Sequence, residues 1–436
     1  MAAPGKPLQN ILWLVGERVV RATVTATVLG LVARQLAPAG FGRLNLAIAM
    51  SAIAAALANL GLEGLVVNEL VHRPGQEGAV LGTALRLRAV AGGVAAALLA
   101  IVAWLTPGLR SDLPLIMLVA FSLVCQPAEV VDLWFQRHLA SRRTVAVRFG
   151  VVLAGAALKF WLVAQDAPVV AFAGAQAIEA ALFAAGLGWA YRVSPVRAGP
   201  WRWDGEIARI LWRRGWPLAV SGVVVVFALR LDQLLVRAWL GAGESGVYFA
   251  AARLTELVLF TGTAMTLSFF PGLAASRTQS GEAFNGRLQA MFDALSALGW
   301  VAALGFTLLG AGIIRGLYGP DYHGAVVVLA LQGWACLFAL SAGVRWQFIL
   351  LAAPTELNLV AAACSIATQF TLSWYLVPQY GAPGAAGAWL AGAVVSGFLT
   401  SFALPALRPC AAAQTRGLLI PFAPGRWRAM LKLFST

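Results

Sequence analysis

Charge is scarce in this chain. Of its 436 residues only 11% are Asp, Glu, Lys or Arg, less than half of the roughly 25% that clothes a soluble domain. Hydrophobic residues make up 60% and the mean hydropathy is +0.79, which excludes a globular protein with a polar exterior. Lysine is scarcer still, with Lys6, Lys159 and Lys432 the only three among 32 basic residues. With abundant alanine this reads as codon bias and carries no functional meaning. None of the three stands in G-x-x-x-x-G-K-[ST], so there is no P-loop to hydrolyse ATP. The four cysteines (Cys125, Cys336, Cys364, Cys410) form no CxxC pair or zinc spacing. The three histidines, His72, His138 and His323, are as dispersed. GxSxG and HExxH are missing, as is a loop large enough for paired catalytic carboxylates. No catalytic residue, metal site or cofactor is therefore assigned. The net charge of +14 is scattered among apolar runs, without the basic stripe and interleaved aromatics of a nucleic-acid binder; it reads as loop charge, with no nucleic-acid partner.

What the chain does have is long apolar runs. A membrane-crossing helix needs about 20 apolar residues, and windows bounded by charge, Gly and Pro give twelve: 10–36, 44–70, 80–106, 113–136, 145–165, 168–191, 214–238, 245–274, 286–314, 323–350, 355–377 and 384–407. The N-terminal run has no small-residue cleavage site and is expected to be the first span rather than a signal peptide. The longest connection, Arg192 to Arg213, carries Pro195, Pro200, Trp201, Trp203 and Trp212, as an interfacial linker between halves would. The organisation expected is an all-α polytopic membrane protein with an N-terminal six-helix lobe over 1–195, a cytoplasmic linker over 196–213, a C-terminal six-helix lobe over 214–407 and a basic cytoplasmic tail over 408–436.

Basic residues orient the spans. A cytoplasmic N-terminus puts 21 of the 32 Lys and Arg on inside tails, loops and flanks, Arg86, Arg88 and Arg426 among them. Five lie on outside flanks (Arg34, Arg43, Arg110, Arg237, Arg315) and the other six within spans. This asymmetry predicts both termini cytoplasmic. The halves also repeat. Leu36, Ala37, Gly42, Leu44 and Ala47 align with Leu240, Gly241, Gly246, Tyr248 and Ala251 at an offset of 204. Trp134, Leu139 and Ala140 align with Trp346, Leu351 and Ala352 at 212. Six spans per half give both halves one orientation, so a pseudo-two-fold along the membrane normal should relate them.

Charges inside spans cost about 2.5–3.5 kcal/mol each on insertion scales and normally face a bundle interior or a wet cavity. Span 1 carries Glu17, Arg18 and Arg21, with Glu17 and Arg21 four apart on one helix face. Span 2 has Asn59 and Glu63, span 7 Arg230 and Asp232, span 8 Arg253 and Glu256. Spans 1 and 7, and 2 and 8, are symmetry mates, as the lining of a cavity between two lobes would be. Arg18, Arg21, Arg230 and Arg253 would form a basic lining suited to an anionic substrate, since guanidinium grips phosphate bidentately. Glu17, Glu63, Asp232 and Glu256 would pair with them or carry a coupling ion. Glu129, Asp132 and Arg345, near expected cytoplasmic span ends, read as structural, while Lys159 and Glu179 are left open between ion pair and function.

The stretch from Leu31 to Leu70 resembles the polysaccharide-biosynthesis (O-antigen) flippase family. Ala33, Arg34, Leu36, Pro38, Phe41 and Gly42 match its L-A-R-x-L-x-P-x-x-[FY]-G element, and Leu60-Gly61-Leu62 its later L-G-L. The likeness continues in order through Pro217 to Ser221, Arg230-Leu231-Asp232-Gln233, Gly246-Val247-Tyr248, Ala250 to Arg253 and Pro271. The resemblance implies two six-helix lobes of the multidrug/oligosaccharidyl-lipid/polysaccharide exporter superfamily, working by alternating access around a cavity formed by spans 1, 2, 7 and 8. It implies a bacterial inner-membrane protein that turns an undecaprenyl-pyrophosphate-linked oligosaccharide from the cytoplasmic to the outer leaflet, for O-antigen, capsule or exopolysaccharide synthesis. Coupling to a proton or sodium gradient, and partnership with membrane lipids, a polysaccharide polymerase and a chain-length regulator, come with that reading. The two additional C-terminal helices usual in lipid II flippases have no counterpart among the twelve spans, which leaves the path of the lipid tail undefined.

The chemistry fits a transporter. Each bare hydroxyl moved into hydrocarbon costs on the order of 4–8 kcal/mol, so a sugar chain cannot cross unaided. The alternatives are an ion-coupled multidrug exporter of the same superfamily, a membrane-embedded polymerase or ligase, and a non-transporting scaffold. A basic lining disfavours cationic drugs, and outside loops of under about ten residues disfavour an enzyme.

Overall fold

In a computed structural model, residues 6–138, 140, 142–354, 356–423 and 425–427 are described, residues 6–25 by their backbone alone. Every regular element among them is helical. With no water in the bilayer core, a helix satisfies its backbone hydrogen bonds within itself. The main helices are α1 (Lys6–Ala58), α2 (Leu62–His72), α3 (Glu77–Leu105), α4 (Leu113–Cys125), α5 (Val130–Arg137), α6 (Arg142–Ala164), α7 (Val169–Arg192), α8 (Gly205–Arg277), α9 (Gly281–Leu317), α10 (Ala325–Ala352), α11 (Glu356–Tyr380), α12 (Ala382–Val394), α13 (Thr400–Ala403) and α14 (Arg408–Leu418).

Ten helical segments among the described residues are long and apolar enough to cross a membrane, and they carry the twelve spans. Two are interrupted. Helix α1 breaks at Ala37 (φ 51°, ψ 172°) and α8 at Gly241 (φ 82°, ψ −169°), so each holds one span on either side of its break. Pro38 explains the first: proline lacks an N–H and drives the residue before it out of the helical region towards extended ψ. Gly241 reaches the same turn without a Cβ to clash. The breaks lie at aligned positions of the repeat, 204 residues apart, so the internal match is visible in the backbone. The Leu60-Gly61-Leu62 element is a further interruption, where Leu60 (φ 52°) and Gly61 (φ 61°) separate α1 from α2. Glycine is needed there twice over, since a Cβ on Gly61 would also lie 2.4 Å from the Cβ of Leu218.

The chain divides by packing into two compact units, Met1–Leu234 and Leu235–Thr436. In the first, α1 packs on α3, α4 and α6, and α7 lies against α4 and α6. Its apolar core runs through Leu115, Ile116, Val119 and Phe172 in one cluster and Leu62, Val66, Trp134 and Phe135 in another. Residues 205–213 of the expected linker are helical and open α8. The Asp204 carboxylate caps them by accepting from the backbone N–H of Glu206 (2.8 Å) and Ile207 (3.0 Å). The preceding loop is tied down, with the Trp201 indole N–H donating to the Tyr191 hydroxyl at 2.9 Å and the Asp204 N–H to Thr83 Oγ1 at 3.0 Å.

In the second unit α9 packs along α10, and α12 along α10 and α11. The expected tail, as far as Trp427, is folded onto this unit. Helix α14 buries Cys410, Ala411, Gln414 and Gly417. Gln414 Nε2 donates to the Gly397 carbonyl at 2.9 Å, and the Trp300 indole N–H to the Leu418 carbonyl at 2.9 Å.

Candidate functional site

In the first unit the expected Asn59–Glu63 pair is formed, with Asn59 Nδ2 donating to Glu63 Oε1 at 3.1 Å. It belongs to a larger cluster. Arg88 on α3 donates through Nη2 to Asn59 Oδ1, and Glu129 and Glu63 both lie within its electrostatic reach. Arg148 and Asp132 act on Glu129 in turn. Arg88, counted by its position among the residues of inside tails, loops and flanks, is buried in the unit, at 1% exposed. It stands eleven residues beyond the start of α3, about 16 Å along the axis at 1.5 Å per residue. The signal that could have found it is its neighbour Arg86, which is exposed, because two arginines two apart point to different helix faces. Among the described residues, Arg88 Nε and Nη1 have no hydrogen-bond partner.

Arg230 and Asp232 lie on α8, still within the first unit. Arg230 is half-buried and donates from Nη1 to Gln233 Oε1 at 3.2 Å; Asp232 and Gln233 are buried. In the second unit Arg253 and Glu256 form an ion pair of 2.9 Å, one helical turn apart. Both act on Tyr318, just beyond α9, whose hydroxyl is pushed well above its ordinary range chiefly by burial. Tyr322, 5.5 Å from Tyr318 between ring centres, is shifted the same way by the same cause. Glu17, Arg18 and Arg21 fall outside the described side chains.

Other intramembrane charges have structural partners. Lys159 Nζ on α6 meets Glu179 Oε1 on α7 at 2.6 Å. Gly155 makes the room, since a Cβ there would lie 2.0 Å from Glu179 Oε1. Arg345, also 1% exposed, donates to Thr400 Oγ1 at 2.7 Å and to the Ser396 carbonyl. Its target is the single π-helical turn Val395–Leu399 that follows α12, where the widened helix leaves carbonyls in need of a donor. Asp293, a buried carboxylate absent from the sequence reading, accepts from Gln289 (2.8 Å) and from Arg426 (3.3 Å). Arg426 is thus part of an ion pair rather than a loose tail charge. No group of three or more His, Cys, Asp or Glu that could hold a metal ion occurs among the described residues.

The fold has known counterparts. A multidrug resistance MATE family transporter of the MOP superfamily, in an inward-facing conformation, superposes with a TM-score of 0.68 at 13% identity, covering 95% of this chain and 96% of that one. The lipid II flippase MurJ, in an inward closed conformation, gives 0.68 at 12% identity over 92% and 91%. A MOP superfamily transporter from Pyrococcus furiosus gives 0.58 at 13% over 96% of each chain. At such identities the likeness establishes the fold alone, and the fold is that of the MOP-superfamily transporters. No curated protein sequence matches the chain significantly. The model of one family does match, over residues 31–327, a stretch holding both helix breaks, the Leu60-Gly61-Leu62 turn, Arg88, Arg230 and Arg253. The chain belongs to the polysaccharide biosynthesis protein family.

Proposed function

We propose that this protein is a flippase for a polyprenyl-pyrophosphate-linked oligosaccharide, moving it from the cytoplasmic to the outer leaflet of the bacterial inner membrane for O-antigen, capsule or exopolysaccharide synthesis. The observation that carries this reading is the family match over 31–327 in a chain with the MOP-superfamily fold. The lobes, taken as 1–195 and 214–407 with both termini cytoplasmic, rock about the pseudo-two-fold. Arg18, Arg21, Arg230 and Arg253 hold the pyrophosphate, while Glu17, Glu63, Asp232 and Glu256 balance them or carry a coupling proton or sodium ion. The sugar crosses in a hydrated cavity while the polyprenyl chain stays in hydrocarbon, so no hydroxyl is stripped of hydrogen bonds. A polysaccharide polymerase and a chain-length regulator would receive the product.

The multidrug-exporter reading is supported by the equal structural likeness to a MATE family transporter. Deletion followed by lipid extraction separates the two. Accumulation of polyprenyl-linked oligosaccharide in the cytoplasmic leaflet is expected. An unchanged lipid-linked pool together with drug sensitivity would favour the exporter, and unpolymerised units already outside would indict a polymerase.

A further inference from the structure

The first unit contains an apolar cleft of about 260 Å³ between three helices. Ala54 and Leu57 of α1, Ala95 of α3, and Val223, Phe227 and Leu234 of α8 line it, and every other lining residue is apolar as well. In hydrocarbon such a recess gains nothing from the hydrophobic effect, because lipid tails are as apolar as leucine. What it offers a chain is shape, and shape selects only when something tethers the rest of the molecule nearby.

Two cations stand where a tether is needed. On α8 the spacing 223, 227, 230, 234 places Arg230 on the same helix face as the three lining residues. Arg230 is half-buried, and its Nη1 donates to Gln233 Oε1 at 3.2 Å. On α3 the spacing 88, 92, 95 puts Arg88 on the face of Ala95, two turns or about 10 Å away. Just past the end of α1, Asn59, which accepts from Arg88, follows Leu57 by two residues. Arg230 thus stands on the α8 face between the lining residues Phe227 and Leu234, while Arg88 precedes the lining residue Ala95 and Asn59 follows the lining residue Leu57 along their own segments. An apolar slot beside fixed guanidinium groups matches an amphiphile with a phosphate head and a hydrocarbon chain, since guanidinium and phosphate form paired charge-assisted hydrogen bonds.

We infer that this cleft between α1, α3 and the first half of α8 holds the head-proximal part of the isoprenoid chain of the lipid-linked substrate, with the phosphate next to it engaged by Arg230. The assignment rests on the flippase reading and gives the tail a path. The cleft takes a short stretch of chain and leaves the remainder in lipid, so it sets the direction in which the head group presents itself without removing the tail from the bilayer.

The test uses the full-length protein in proteoliposomes and two substrates with the same pyrophosphate and oligosaccharide, one on a long polyprenyl chain and one, the short-chain substrate, with a methyl group in place of every isoprene unit. Ala54→Trp and Val223→Trp fill the cleft. They should slow flipping of the long-chain substrate by about tenfold, roughly the effect of 1.4 kcal/mol, and leave the short-chain substrate at the wild-type rate. Equal slowing of both substrates, or of neither, overturns the assignment while the wild-type protein still flips. A wild-type protein that moves neither substrate overturns the flippase reading itself, and the assignment with it. A second measurement covers variants that fail to fold. Wild-type protein is irradiated with a long-chain substrate bearing a diazirine near its pyrophosphate. Label should appear in peptides covering 50–57, 95–102 and 223–234, compete with unlabelled substrate and weaken in Arg230→Gln. Equal labelling by a diazirine phosphatidylcholine would make the occupant an ordinary bilayer lipid and overturn the proposal.

Discussion

Lys159 and Glu179 meet at 2.6 Å across α6 and α7, an ion pair inside two membrane-spanning helices. In hydrocarbon the two charges neutralise each other, and either one alone would face lipid without a partner. Lys159→Met should therefore destabilise the protein by about 3 kcal/mol, whereas Lys159→Met combined with Glu179→Leu should be near neutral. Thermal unfolding of the wild type, Lys159→Met, Glu179→Leu and the double variant in detergent gives the coupling energy. A loss in the double variant equal to the sum of the two single losses would show that the pair contributes no net coupling. Gly155→Leu should resemble the loss of Glu179, because it occupies the space of that carboxylate.

The breaks at Ala37 and Gly241 differ in how easily their residues tolerate them. Alanine at φ 51°, ψ 172° is strained by about 1–3 kcal/mol, and glycine would relieve most of that. After subtracting the extra entropy of glycine in the unfolded chain, about 0.4–1 kcal/mol, Ala37→Gly should stabilise by about 1 kcal/mol. Gly241→Val should destabilise by at least that much. Opposite shifts of the unfolding midpoint are expected, and shifts of the same sign would contradict the backbone reading.

Cys410 lies on α14, buried against the second unit beside Arg345, and its thiol is pushed up to about 12, chiefly by burial. At pH 8 about one molecule in ten thousand would carry the reactive thiolate. In a variant retaining only this cysteine, maleimide should leave the folded protein unlabelled and react fully in SDS. The sign for stability follows from the same shift. The folded thiol ionises later than the unfolded one, whose ordinary value is 9.0, so its contribution is complete below about pH 9 and declines as pH climbs towards 12. Rapid labelling of the folded protein would mean that α14 detaches.

Arg18→Ala, Arg230→Ala and Arg253→Ala should each lower glycan export while leaving membrane insertion intact. Loss of one charge-assisted hydrogen bond, worth about 1.5–3 kcal/mol, corresponds to about tenfold or more in rate. Export of labelled glycan against the amount of inserted protein measures it. Normal transport in all three variants would remove the basic-lining hypothesis.

Much of this was legible without coordinates. Hydropathy alone places the helices, because a bilayer admits no other use for repeated apolar runs of about 20 residues. The 204-residue offset predicts matching span boundaries in the two halves, and α1 and α8 break at aligned positions, Ala37 and Gly241. The Asn59–Glu63 and Arg253–Glu256 pairs were readable because helical spacing brings residues three or four apart together. Spacing along one helix says nothing of what another helix brings. The burial of Arg88 against Asn59, the Asp293–Arg426 pair, the Arg345 contacts with Ser396 and Thr400 and the fold-back of α14 onto Trp300 all join residues more than 25 positions apart. Composition and periodicity determined that this is a two-fold repeated bundle of membrane helices with rare intramembrane charges. Only the tertiary structure decided which charges are buried and paired and where three helices leave an apolar cleft beside an arginine, because those outcomes depend on close packing between segments distant in the chain.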